Sequence, residues 1–100
     1  MTGKQKSFLR AKAHDFQAII QIGKNLVTDA TLETVDKALE ARELIKISIL
    51  QNCMAEPKEV ATMIAEGVEA EVVQVVGRTI ILFKRSSKTE NREISNKMPK

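Results

Sequence analysis

Two apolar runs and the stretch between them limit what this chain can fold into. Ala18-Ile19-Ile20-Gln21-Ile22 reads as a short, mostly buried strand. Leu44 to Leu50 alternates, with Ile45, Ile47 and Ile49 on one face and Lys46 and Ser48 on the other, as a half-buried strand does. Between them, Gly23-Lys24-Asn25 reads as a tight turn and Thr28 or Asp29 as a helix cap. Leu32, Val35 and Leu39 then form the inward stripe of a helix ending near Arg42. Strands separated by a helix favour parallel pairing, so the chain should build a sheet with helices packed on it. A glycine turn opening a helix also presents main-chain N–H groups to an anion, and Lys24 at its tip makes this turn a candidate phosphate contact.

The flanking segments complete the pattern. Thr2 suits the N-cap of a first helix running from about Gly3 to about His14, with Phe8, Leu9, Ala13 and then Phe16 as its apolar contacts. Pro57 fits the first position of a third helix, with Val60, Ala61, Ile64 and Val68 inward and Gly67 near its end. Ala70 to Val76 and Thr79 to Lys84 read as strands joined by Gly77-Arg78, where glycine first suits a type II′ hairpin. The expected fold is an α/β sandwich with a mixed four-stranded sheet and three helices, in the order helix, strand, helix, strand, helix, strand, strand. Residues 1–85 form its one domain. Residues 86–100 are polar and basic and read as a flexible tail, although Arg92 to Ser95 could pair at a sheet edge.

Charge is unevenly spread along the chain, although the net value is only +3. Residues 1–24 carry five basic side chains against Asp15 alone, residues 25–71 carry ten acidic against four basic, and residues 72–100 carry seven basic against two acidic. If the two ends meet in space, the molecule has one basic surface that attracts polyanions. Lys6, Arg10 and His14, spaced four apart, share one face of the first helix, whereas Asp29, Glu33, Asp36 and Glu40 line the outside of the second.

Parts for catalysis are scarce. There is one histidine and one cysteine, His14 and Cys53, in separate segments, and no pair of either type at metal-ligand spacing. Gly23-Lys24-Asn25-Leu26 lacks the second glycine and the Lys-Ser or Lys-Thr of a Walker loop. The expectation is therefore a non-enzyme without cofactor or metal. A lone cysteine allows no internal disulfide and suits a reducing cytoplasm. Neither a membrane span nor an apolar secretory leader is visible. With Phe8, Phe16 and Phe83 as the only aromatics, any nucleic-acid contact should rest on charge, backbone amides and shape, with limited base readout.

Four segments carry a resemblance. T-G-K-Q-K-S-F-L-R-A-K-A-H, then I-G-K-N, then A-R-E-L-I-K-I-S-I-L, then V-Q-V-V-G-R-T-I-I-L-F-K resemble the YhbY-type, or CRM-domain (chloroplast RNA splicing and ribosome maturation), RNA-binding proteins, over residues 2 to about 85. The resemblance implies a fold similar to the C-terminal domain of translation initiation factor three. It also implies a protein that binds ribosomal RNA in precursors of the large subunit and assists their assembly. The family's G-x-x-G loop falls on Gly23, Lys24 and Asn25, with Leu26 in place of the second glycine. Leucine resists positive φ and close approach to a phosphate. Ala18 stands where many relatives carry proline. The implied RNA-contacting set is Lys4, Lys6, Arg10, Lys12 and His14 on the first helix, Gly23, Lys24 and Asn25 in the turn, and Arg78 and Lys84 near the hairpin. An alternative reading is a protein-interaction module that docks its acidic second helix on a basic ribosomal protein.

Overall fold

Thr2 and Thr28 start the first two helices of the computed structural model, which describes residues 1–100. Ahead of α1 (Gly3–Ala13), Thr2 Oγ1 accepts the Gln5 N–H at 3.1 Å and Gln5 Oε1 accepts the Thr2 N–H at 3.0 Å. Thr28 and Thr31 do the same for each other ahead of α2 (Asp29–Arg42). Each reciprocal cap satisfies two main-chain donors that a helix start leaves orphaned. The third helix, α3 (Pro57–Val68), opens on its proline, whose missing N–H is not needed there.

Strands β1 (Ile20–Ile22), β2 (Leu44–Ile49), β3 (Glu71–Val76) and β4 (Thr79–Phe83) form one mixed sheet in the order β1-β2-β4-β3. β1 runs parallel to β2 across the α2 crossover, with Ile20 opposite Ile47; β4 lies antiparallel to both β2 and β3. Gly77 turns the hairpin at φ +56 while Arg78 stays out of the left-handed region, as a type II′ turn requires. A bulge interrupts β3 between Val72 and Gln74.

Alternation along β2 divides the core into two layers. Ile45, Ile47 and Ile49, with Ile80 and Leu82, pack under Val35 and Leu39 of α2 and Val60, Ala61, Ile64 and Val68 of α3. On the opposite face, Leu44, Val73, Ile81 and Phe83 pack against Leu9 and Ala13 of α1. Gly67 lets α2 and α3 approach closely, since a Cβ there would lie 2.8 Å from Leu32 Cδ2.

The expected mixed sheet and element order are present, with three departures in detail. β1 starts at Ile20 rather than Ala18, because residues 14–19 must cross from the α1 face to the sheet edge. Phe16 lies on that crossing, 38% exposed, and joins neither core layer. Residues 86–100, expected as a flexible tail, instead hold a 3-10 turn (Thr89–Asn91) and a fourth helix, α4 (Glu93–Lys97), so Arg92 to Ser95 pairs at no sheet edge. The reason is Glu43, which caps α2 at φ +66 with its side chain fully buried. Its carboxylate accepts the Ser86 N–H at 2.8 Å, the Ser95 N–H at 2.9 Å and the Ser95 hydroxyl at 2.7 Å. One turn earlier, the Ser87 hydroxyl and N–H both donate to the Glu40 carboxylate. These bonds, aided by the charges of Lys84 and Lys88, outweigh partial desolvation and hold that carboxyl below the ordinary glutamate pKa.

Candidate functional site

The Gly23 turn stands at the C-terminal end of β1. The Leu26 N–H donates to the Gly23 carbonyl at 3.1 Å, closing a four-residue turn that leaves Lys24 and Asn25 exposed and without side-chain partners. Leu26 occupies the left-handed region at φ +56 and remains 38% exposed. Leucine therefore adopts here the conformation a glycine would adopt without strain, and it does not pack inward. A Cβ at Gly23 would lie 3.4 Å from Leu50 Cδ1 and Asn52 Oδ1, an ordinary van der Waals contact, so packing does not by itself require glycine there.

Helix α1 supplies the basic face. Lys4, Lys6, Arg10 and Lys12 make no ion pair, in contrast to Lys37, Lys84 and Lys97, which each hold a carboxylate. Arg10 donates only to Ser7 Oγ, and Lys12 Nζ sits 5.8 Å from the Phe8 ring centroid. The carboxylates of α2 and α3 belong to the opposite layer, so the sheet separates the basic helix from the acidic ones. A helix carrying four cations and no carboxylate gives a face suited to a polyanion.

Two of the expected contact residues serve the scaffold. The Arg78 guanidinium donates to the carbonyls of Ile49, Leu50 and Cys53 at 3.1, 2.7 and 3.0 Å, tying the hairpin to the loop after β2. Lys84 Nζ donates to Asp36 Oδ1 at 3.2 Å and to the Val68 carbonyl at 2.8 Å, joining α2 to α3. The chain termini do meet, through the Gln5 side chain on the Pro99 carbonyl at 3.1 Å. They do so at the end of the sheet where β2 begins, remote from the Gly23 turn at the other end. The basic residues of the C-terminal segment therefore gather away from Lys24.

Lys46 was missing from the sequence-derived set. Its Nζ donates to the carbonyls of His14 and Phe16 at 3.3 and 3.0 Å, fixing the end of α1 against the sheet. With Arg10 and His14 it lines a shallow basin of about 250 Å³, floored by Gln74, Thr79 and Ile81 where α1 leaves the sheet uncovered. The signal was present in the alternation of β2, which puts Lys46 on the face that α1 only partly covers. On the acidic side, Asp36 is held by Lys84, Glu40 by Ser87 and Glu33 by Lys37, so most of the α2 stripe already has internal partners.

Cys53 is buried in the α2–α3 layer and His14 is exposed on the α1 side, so the sheet lies between them. No three His, Cys, Asp or Glu side chains are grouped to hold a metal ion, and no helix is long and apolar enough to cross a membrane.

The architecture is that of a small mixed-sheet α/β domain with one basic helical face and an exposed lysine turn. Residues 1–84 match the CRS1 / YhbY (CRM) domain, and the chain belongs to that family. It is 48% identical over 94 residues to "Probable RNA-binding protein YqeI" of Bacillus subtilis, covering 94% of this chain and 96% of that one. It is 37% identical over 86 residues to "Probable RNA-binding protein MJ0652" of Methanocaldococcus jannaschii, covering 84% of this chain and 63% of the other. The solution structure of SAV1595 from Staphylococcus aureus superposes with a TM-score of 0.78 at 38% identity, over 99% of both chains.

Proposed function

We propose that this chain is a non-catalytic, cytoplasmic RNA-binding protein that associates with precursors of the large ribosomal subunit and assists their assembly. The observation that carries the reading is the set of unpaired cations on α1, facing away from the acidic layer, in a member of the CRM family. Relatives that bear RNA binding in their names support the same partner. Backbone contact falls to Lys4, Lys6, Arg10, Lys12 and His14, with Gly23, Lys24 and Asn25 at the turn. Arg78 and Lys84 act by holding the scaffold that positions them.

Neutralising about four to six phosphates gives log affinity a slope of about −3 to −5 against log salt. Lys24→Ala and Arg10→Ala each remove a solvent-exposed cation with no ion-pair partner. Each is expected to weaken binding to large-subunit RNA, to lower the slope by about 1, and to leave the unfolding midpoint unchanged. Unaltered affinity in both variants at low salt refutes the site. The assembly role is read by sedimentation from cells: the protein should travel with large-subunit precursors, and its absence from those fractions removes that part of the proposal.

A further inference from the structure

The structure also holds a pocket off the basic helix, beside the crossing of residues 14–19. It has a volume of about 300 Å³, at the small end of ligand-sized sites, and opens at the edge of β2. Phe16 and Ile19, exposed by 38% and 43%, line it beside Leu44 and Ile45 of β2, whose buried side chains turn to opposite core layers. Arg42, without any ion-pair or hydrogen-bond partner in the protein, stands on one side and Lys46 on the other. Gln17 brings an exposed amide to the rim.

We infer that this pocket takes one unstacked nucleobase of a single-stranded RNA segment, stacked on Phe16, with the adjoining phosphate on Arg42. The inference rests on the RNA-binding reading above and names a subsite within it. Three observations select this occupant. Two cations flank an apolar slot and no carboxylate lines it, which matches an aromatic ligand carrying an anion. Lys46 lines both this slot and the Arg10–His14 basin, so a strand following the α1 cations arrives at its mouth. A peptide added as a strand is disfavoured, because the Ile19 N–H already takes the Lys46 carbonyl at 3.1 Å and β1 covers β2 from Ile47 onward. Only Leu44 and Ile45 remain open, too short an edge for strand addition. A single aromatic platform also suits a chain with three phenylalanines, giving readout of one base rather than a row.

The test measures binding of labelled single-stranded oligoadenylate and of a blunt RNA duplex to the whole chain, with adenosine monophosphate as competitor. Phe16→Ala is expected to lower oligoadenylate affinity about ten-fold or more while leaving duplex affinity and the salt slope unchanged. Phe16→Leu keeps apolar bulk without an aromatic face, protects the fold, and is expected to lower it about five-fold. Oligoadenylate affinity unchanged in both variants, or an equal loss toward the duplex, overturns the base subsite while the RNA-binding reading stands. Monophosphate competing as strongly as the oligonucleotide overturns it in favour of a free-nucleotide site. Wild-type protein that binds neither RNA at low salt overturns both readings.

Discussion

Glutamine at position 43 isolates the link between the C-terminal segment and the rest of the fold. The Glu43 carboxylate is fully buried and no basic nitrogen lies within salt-bridge distance, so its three hydrogen bonds to Ser86 and Ser95 are its compensation for leaving water. An amide has one acceptor oxygen. Whichever way it turns, its NH₂ faces a donor, and that mismatch costs about 1–3 kcal/mol. The surviving bonds also lose their ionic character, which roughly halves them. Burying a neutral amide costs less than burying a carboxylate, which recovers part of the loss. The net expectation for Glu43→Gln is a destabilisation of about 1–3 kcal/mol, a sizeable share of the stability of an ordinary domain. The molecule can relieve the mismatch by releasing residues 86–98, so the loss has a second signature. Trypsin should cut after Lys88 and Arg92 much faster in the variant. Urea unfolding within about 0.5 kcal/mol of wild type, together with unchanged cleavage, refutes the argument that this carboxylate holds the segment.

Other outcomes follow from the same structure. Ile47 is fully buried between Ile20 and Ile80, and Ile47→Ala should cost about 2–5 kcal/mol in urea unfolding; a loss below about 1 kcal/mol contradicts its placement under α2 and α3. Leu26→Gly releases about 1–2 kcal/mol of left-handed strain against about 0.5–1 kcal/mol of added chain entropy. It should leave the melting temperature level or raised, and a clear drop shows that the leucine side chain matters more than its backbone. The lowered pKa of Glu40 makes its contribution full above the unfolded-state value, about 4.5, and lost as pH falls through the folded one. Glu40→Gln should therefore be less stable than wild type at neutral pH, with the gap narrowing on acidification; a gap constant with pH excludes that linkage.

Local chemistry made much of the architecture legible. Thr2, Thr28, Pro57 and Gly77 act on their immediate neighbours, and the alternation from Leu44 to Leu50 states which face meets which helix layer. Features that depend on distant partners were not readable. Phe16 continues the apolar spacing of α1, but the helix stops at Ala13, and beyond it that spacing no longer points a side chain at the sheet. Residues 86–100 look solvated from composition, because Glu43, the group that docks them, lies more than forty positions away in the chain and is itself polar. The internal bonds of Arg78 and Lys84 were unreadable for a related reason: the carbonyls they meet are assembled by the fold. Leu26 shows the reverse situation, since the residue type argues against a left-handed backbone that the turn nonetheless imposes.

The two outer strands have a bearing on self-association. β1 offers only three residues to a newcomer, and β3 is broken by its bulge at Val72–Gln74. A neighbouring molecule seeking to extend the ladder from either margin finds the first too brief and the second out of step, so the sheet is a poor template for growth into larger aggregates.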